Sequence, residues 1–254
     1  MKTIVSYDLM YFKKTSKFIV FGVLGVFLAG FSALTARYFN VIIEYSLGQE
    51  GIDIVLPEPT VLESYTQFFS NFTQIYLFVI LFIAVMFFIQ DKTRGHYPLI
   101  FTKPILRSHY ILSKSLIISL TMIVSYIVSS LFFGYYSYVL FDTFDVGLFS
   151  IASLAFIVYC LLVIHIGLIA SVIFKNFLGA IILPVSLFLL FGLLTPIQGG
   201  IFAYFPYHLM SYPLALMSES VEIGKVLLTT LIGFIMIVIL LFSSIRLFQN
   251  RSLL

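Results

Sequence analysis

Six apolar stretches with almost no Asp, Glu, Lys or Arg divide the chain and limit its possible folds more than any other feature. A helix that crosses the hydrocarbon core of a bilayer needs about 20 mostly apolar residues. The sequence predicts spans over 18–36, 72–90, 110–141, 146–174, 177–198 and 223–245. Hydrophobic residues make up 61% of the chain and charged residues 10%, against about 25% charged in an average soluble domain. These features predict an all-α polytopic membrane protein with a single transmembrane domain.

Charge is divided unequally between the two sides that six spans define. With a cytoplasmic N-terminus, 12 of the 14 basic residues lie inside. They are Lys2, Lys13, Lys14, Lys17, Lys92, Arg94, Lys103, Arg107, Lys114, Lys175, Arg246 and Arg251. Nine of the 11 acidic residues lie outside. Because basic residues favour the cytoplasmic side, we expect a plasma-membrane protein, of bacterial type, with both termini in the cytoplasm.

The segment before the first span, 1–17, has an amphipathic pattern. At helical spacing its apolar residues share one arc, and Lys13 and Lys14 lie opposite. Asp8 and Met10 break the pattern. Two interpretations stay open: a basic anchor on the membrane surface, or an interface helix that also packs on a cytosolic partner.

Two longer segments are predicted on the outer side. Residues 40–71 are acidic and contain Leu56-Pro57-Glu58-Pro59, which favours extended or turn structure. We interpret this segment as a solvated loop, with a lid that faces substrate or a partner as the alternative. Residues 199–222 are apolar but interrupted by Gly and Pro. Such backbone fits short re-entrant or interfacial helices buried in protein.

The inner loop 91–109 is both basic and apolar. It carries Tyr97, Leu99, Ile100, Phe101, Ile105 and Leu106 beside its basic residues. Large apolar surfaces left in water usually mark contact sites. The loop therefore predicts either a short amphipathic element at the membrane interface or a docking segment for a soluble partner.

This loop and the topology together resemble the type-2 ABC exporter permeases. That family has an acid after span 2, then Gly, a leucine-rich stretch, Pro, Arg, and Lys near the start of span 3. The matching positions are Asp91, Gly95, Leu99, Ile100, Pro104, Arg107 and Lys114. The family often has Glu-x-x-x-Gly-Thr, whereas this chain has Asp91 and His96 at the first and last positions.

The resemblance implies partners and a mechanism. A second permease chain, identical or related, would complete the transmembrane dimer, and two cytosolic ABC ATPase subunits would bind ATP and Mg below it. A coupling helix within 96–103 would contact the ATPase. The implied contact residues are Asp91, Arg94, Gly95, His96, Tyr97, Leu99, Ile100, Phe101, Lys103, Pro104 and Arg107. The chain has no Gly-x-x-x-x-Gly-Lys-[Ser/Thr] phosphate loop, so we expect no catalytic residue, cofactor or metal in it.

Polar residues inside the spans are the remaining candidates. His165 has two interpretations, a structural hydrogen bond or a role toward substrate or protons. Pro184 predicts a kink, and with Ser125, Ser129 and His165 it forms a candidate substrate path. Spans with so little charge suit an amphipathic or hydrophobic cargo such as a peptide, an antibiotic or a lipid-like molecule. The net charge of +3 does not suggest nucleic acid, and membrane lipids are the other expected partner. The alternatives are a non-transporting immunity or sensor protein and an intramembrane enzyme.

Overall fold

The computed structural model describes residues 2–48, 58–102, 105–197 and 199–250, and most of them are helical. Ten α-helices occur in this part of the chain, with one π-helical and two 3-10 segments between them. In order they are α1 (Lys2–Lys14), α2 (Lys17–Gly48), α3 (Val61–Asn71), a π-helical turn (Phe72–Tyr76), α4 (Leu77–Thr93), α5 (Tyr97–Phe101), α6 (Arg107–Phe141), α7 (Val146–Ile173), α8 (Phe177–Leu194), 3-10 turns over Gly200–Tyr204 and Pro206–Met210, α9 (Tyr212–Met217) and α10 (Ile223–Gln249).

Six of these helical segments are long and apolar enough to cross a membrane, as the sequence predicts. The second of them joins α3, the π-helical turn and α4 into one stretch, Val61–Thr93. The all-α polytopic fold is therefore confirmed. Short helices between α8 and α10 are confirmed as well.

Contacts at the helix ends define two sides of the bundle. Arg107 Nη1 donates a hydrogen bond to the Gln249 carbonyl oxygen at 2.8 Å, which brings the start of α6 to the end of α10. The backbone N–H of Asp145 donates to the Tyr65 hydroxyl at 3.1 Å, so α3 and the start of α7 lie at the other end. We call the first end the terminal side and the second the opposite side.

The predicted boundaries of the segment 40–71 are wrong where the structure describes it. Helix α2 continues to Gly48, and α3 begins at Val61 with Thr60 and Glu63 forming a capping box. Each predicted span ends at the first charged residue, whereas the helix continues past that residue into the interfacial region. Tyr65, Phe68 and Phe69 of α3 are buried, so this part is packed, not a solvated loop. Residues 49–57 lie outside the described residues.

Helix α7 is the most buried of the six spans and lies at the centre of the bundle. It packs against α4, α8, α9 and α10. Small residues permit these approaches: a Cβ placed on Gly167 would lie 2.9 Å from Val85 Cγ2. Close contact between helices at such small residues therefore contributes to the core beside its large aromatic side chains.

Helices α2 and α6 pack tightly at Gly25. A Cβ there would lie 2.2 Å from Ser129 Oγ and 3.1 Å from Tyr76 Cε2. Next to this contact, Ser125 Oγ donates to the Phe21 carbonyl oxygen and accepts a hydrogen bond from Tyr76 Oη at 2.9 Å. Three spans are thus joined within one turn of Gly25.

Replacing Gly25 with alanine should destabilise the bundle, and replacing Gly22 should not. A methyl group at position 25 overlaps Ser129, which overpacking data place at about 1–3 kcal/mol of lost stability. A Cβ placed on Gly22 would have no neighbouring atom within 4 Å, so Gly22→Ala keeps or slightly raises stability through helix propensity. Thermal unfolding of the two purified variants measures the difference. Equal melting temperatures would contradict the close α2–α6 contact.

Candidate functional site

The loop between α4 and α6 makes a tight turn before the short helix α5. Helix α4 ends at Thr93, and Gly95 adopts φ +67°, a conformation that glycine accepts without steric cost. The backbone N–H of His96 then donates to the Asp91 carbonyl oxygen at 2.8 Å. The chain is thereby directed into α5, which lies within the stretch 96–103 where the sequence predicts a short helix.

A buried ionic network lies directly beneath this turn. Lys114 Nζ on α6 is 2.8 Å from Asp91 Oδ2 on α4 and 3.4 Å from Asp8 Oδ1 on α1. The exposed fraction is 1% for the Lys114 and Asp8 side chains and 3% for Asp91. The same ammonium donates to the Phe87 carbonyl oxygen at 3.2 Å. One cation therefore joins three helices at the terminal side.

Two hydroxyl groups complete the coordination of the carboxylates. Tyr110 Oη donates to Asp91 Oδ2 at 2.8 Å, and Ser113 Oγ donates to Asp8 Oδ2 at 2.7 Å. Tyr110, Ser113 and Lys114 lie three and four residues apart, so they share one face of α6. This spacing explains why a single helix can serve both carboxylates.

Asp8 is the member of this network that the sequence pattern did not single out. It appeared only as a break in the amphipathic pattern of 1–17, yet the structure buries it against Lys114. An isolated acid on the apolar face of a basic surface helix was the available signal. The partner lies 106 positions away, and no local pattern connects the two.

Aromatic rings fasten α5 to the rest of the bundle. Tyr97 and Phe101 of α5 contact Tyr110 of α6 with ring centroids 5.8 and 5.7 Å apart. Phe248 of α10 lies 5.8 Å from Tyr97 and 5.5 Å from Tyr110. The loop's apolar side chains were interpreted as surface left for a partner or an interface. Tyr97, Ile100, Phe101 and Ile105 are partly buried and pack on the chain's own core, which covers part of that surface.

The predicted contact residues divide into buried and exposed groups. Asp91 is buried and holds the loop from beneath, so its carboxylate has no surface to offer a partner. Arg94 and Gly95 are exposed, and His96 and Arg107 are half-buried. Leu106, outside the predicted set of contacts, is 62% exposed. Lys103, Pro104 and the side chain of Leu99 lie outside what the structure describes.

The candidate substrate path consists of buried residues within the protomer. His165 Nε2 is 2.9 Å from Ser115 Oγ and its Nδ1 is 2.8 Å from the Leu161 carbonyl oxygen. Ser129 Oγ donates to the Ser125 carbonyl oxygen at 2.8 Å, and Pro184 is buried inside α8. Contacts between and within helices thus account for all four residues, which favours the structural interpretation of His165. Among the described residues no group of three His, Cys, Asp or Glu side chains could hold a metal ion.

The charges of the network are unequal, with two carboxylates around one ammonium. Burial raises the pKa of the Asp8 carboxyl above its ordinary value of 3.8. Lys114 and Ser113 act in the opposite direction, and the neighbouring Asp91 carboxylate raises the pKa further. A proton on Asp8 would make the cluster neutral, and the raised pKa brings this protonation to a higher pH than for an ordinary aspartate.

Comparison with known families gives one result for nearly the whole chain. The protein-family model described as "ABC-2 family transporter protein" matches residues 9–253. No curated protein and no solved structure matches the chain.

Removing the ammonium should be far more damaging than removing an exposed one. Lys114→Met leaves two buried carboxylates without a cation, which costs about 3–5 kcal/mol when a buried pair is broken. Lys13→Met, an exposed change on α1, is the matched control and should cost less than about 1 kcal/mol. Thermal unfolding in detergent measures both. If Asp8→Asn added to Lys114→Met failed to recover any stability, the network would not be the cause.

The raised pKa of Asp8 predicts a specific pH dependence. The protonated Asp8 carboxyl favours the folded state. This contribution to stability is fully present below pH 3.8, the ordinary pKa, and is lost as the pH rises through the raised pKa of the folded state. Asp8→Asn cannot lose a proton, so the variant should lose less stability than the natural protein between about pH 4 and neutrality. Melting temperatures across this range test it. Asp142→Asn, a change to an exposed acid, should follow the natural protein's curve.

Proposed function

Because this chain belongs to the ABC-2 family of transporter proteins and is a multi-pass membrane permease, we propose that it is the transmembrane subunit of an exporter powered by a separate ABC ATPase. The observation that carries this proposal is α5, a five-residue helix fixed between two spans by buried charges and aromatic rings. Its position is suited to receive force from outside the membrane.

In the proposed assembly the terminal side faces the cytoplasm. The concentration of basic residues at that side supports this orientation. Two ATPase subunits, which hold ATP and Mg, dock beneath a dimer of this chain with an identical or related permease in a bacterial plasma membrane.

The attachments of α5 suggest how motion passes to the spans. Tyr97 and Phe101 connect it to α6 and α10. The turn before it is hydrogen-bonded to the backbone of Asp91 on α4. The Asp91 carboxylate is bound to Lys114, which also binds Asp8 on α1. When the ATPase dimer closes, displacement of α5 moves α1, α4, α6 and α10 together. Rigid-body transitions of this kind occur in other switching proteins.

The exposed part of the loop supplies the docking contact. Leu106 presents most of its side chain at the terminal side, and Arg94 lies exposed on the same loop. Exposed ion pairs contribute about 0–1 kcal/mol, whereas a buried apolar anchor contributes more to an interface. We therefore assign the main docking role to Leu106 and an orienting role to Arg94.

The cargo we propose is an amphipathic or hydrophobic molecule, such as a peptide, an antibiotic or a lipid-like compound. The low charge of the spans supports this class, since each of the six has an 18-residue window with at most two Asp, Glu, Lys or Arg residues. A small ion would require fixed charges or polar rings along its path.

Replacing Leu106 with aspartate should weaken capture of the ATPase without unfolding the permease. The change places a charge in the proposed interface, and we expect at least a tenfold loss of co-purified ATPase, or about 1.4 kcal/mol. Ile223→Asp is the matched control, because Ile223 is an exposed apolar residue at the opposite end of the bundle. Gentle extraction of tagged protein and quantification of bound ATPase activity give the result.

Two outcomes would contradict the proposal. If the natural chain captured no ATPase, a non-transporting immunity or sensor protein would be favoured instead. If Leu106→Asp and Ile223→Asp retained equal amounts of ATPase, the docking contact would lie elsewhere.

A further inference from the structure

Three cations lie beside two stacked aromatic rings at the terminal side. Lys17 Nζ is 5.2 Å from the centre of the Tyr11 ring and 5.8 Å from the centre of the Phe87 ring. Arg94 Cζ is 6.0 Å from the Tyr11 centre, and Lys114 Nζ is 4.2 Å from the Phe87 centre. The two ring centres are 6.3 Å apart. Lys17 therefore shares one ring with each of the other two cations.

The acids of this region do not balance the three positive charges. Asp8 and Asp91 are both bound to Lys114. Neither Lys17 nor Arg94 forms an ion pair within the described part of the chain. Contact with an aromatic face attracts a cation but leaves its charge in place. Two cations therefore remain that the protein does not neutralise, and an anion bound beside them would offset the repulsion between like charges.

Lys17 lies where the chain enters the membrane. It is the first residue of α2 and of the first candidate span, Lys17–Tyr45. The three apolar side chains that follow it, at 18–20, are exposed, as expected beside lipid. The stem of a lysine can follow apolar surface and place its ammonium at the level of the head groups. Lys17 and Arg94, which share the Tyr11 ring, are therefore at the depth of the lipid phosphates.

We propose that Lys17 and Arg94 bind the phosphate of an anionic phospholipid beside the Tyr11 ring. An arginine can donate two parallel hydrogen bonds to a phosphate, and a lysine supplies a compact positive charge. Basic pockets beside membrane spans hold anionic head groups in this way. A zwitterionic lipid fits less well, because its own cation would lie among three others. An acidic segment of a soluble protein also fits less well, because Lys17 borders exposed apolar residues of the span.

The lipid site is independent of export. Arg94 also has an orienting role in the proposed docking of the ATPase, whereas Lys17 has no role there. Variants of Lys17 therefore test the lipid site, and ATPase capture by the natural chain tests the proposed function.

Native mass spectrometry of the purified full chain in detergent, titrated with phosphatidylglycerol, tests the site. Lys17→Met should weaken binding of the first lipid about 10-fold, as expected when a charge-assisted hydrogen bond is lost. Lys17→Arg keeps the charge and should stay within about 2-fold of the natural chain. Phosphatidylcholine of equal chain length should bind about 10-fold more weakly, and inorganic phosphate should not compete. The matched control is Lys13→Met, which removes the same charge from an exposed position on α1 and should change binding by less than about 2-fold.

Four results would overturn the proposal. Equal losses in Lys17→Met and Lys13→Met would mean that diffuse surface charge holds the lipid. Equal binding of phosphatidylcholine would contradict an anionic occupant, and competition by inorganic phosphate would assign the site to free phosphate. Retained lipid binding in Lys17→Met, with loss of ATPase capture, would assign this surface to the soluble partner. If Lys17→Met did not fold, Arg94→Gln gives the same comparison, and binding equal to that of the natural chain would contradict the site.

Discussion

The Lys114 ammonium, held between Asp8 and Asp91, is the interaction on which the terminal side of the molecule depends. Removing three charged groups from water has an unfavourable desolvation free energy. The attraction among the charges offsets it only with good geometry and additional hydrogen bonds. The structure supplies those bonds from Tyr110 and Ser113. Such a network adds little net stability compared with apolar packing. It does, however, permit one arrangement of α1, α4 and α6, because any displacement would leave a buried charge unpaired.

Helix α5 follows from this constraint. A helix of five residues is not stable by itself, since its few hydrogen bonds do not offset the unfavourable free energy of helix nucleation. Its geometry is imposed from two directions, by the turn that Asp91 anchors through the His96 N–H and by the rings of Tyr110 and Phe248. A short element fixed in this way cannot shift without disturbing the contacts of Tyr97 and Phe101 with α6 and α10.

The sequence was sufficient for features that depend on local composition. The six spans follow from apolar length, and the short helix after span 2 follows from the resemblance to the type-2 ABC exporter permeases. It was insufficient where a contact joins distant positions: the Asp8–Lys114 pair spans 106 residues, and the packing of Phe101 on Phe248 spans more. It also placed the start of span 2 too late, because charge marks where a helix enters the interfacial region and not where it ends. The predicted contacts omit Leu106. Only the structure distinguishes it, because Leu106 is exposed while its apolar neighbours Phe101 and Ile105 pack on the core.

Spans 2 and 3 are joined at three depths, and this determines how far a displacement at α5 extends. Ser64 and Ser137 share a hydrogen bond of 2.8 Å near the opposite side, Tyr76 and Ser125 one of 2.9 Å at mid-depth, and Asp91 binds Lys114 at the terminal side. Ser64 and Asp91 are 27 residues apart, or about 40 Å along a helix. A pair of helices joined only at one end could splay, but three polar contacts in apolar surroundings resist both sliding and rotation. In the mechanism proposed above, movement imposed on the loop between them would tilt the pair as one body and reach the opposite side of the membrane.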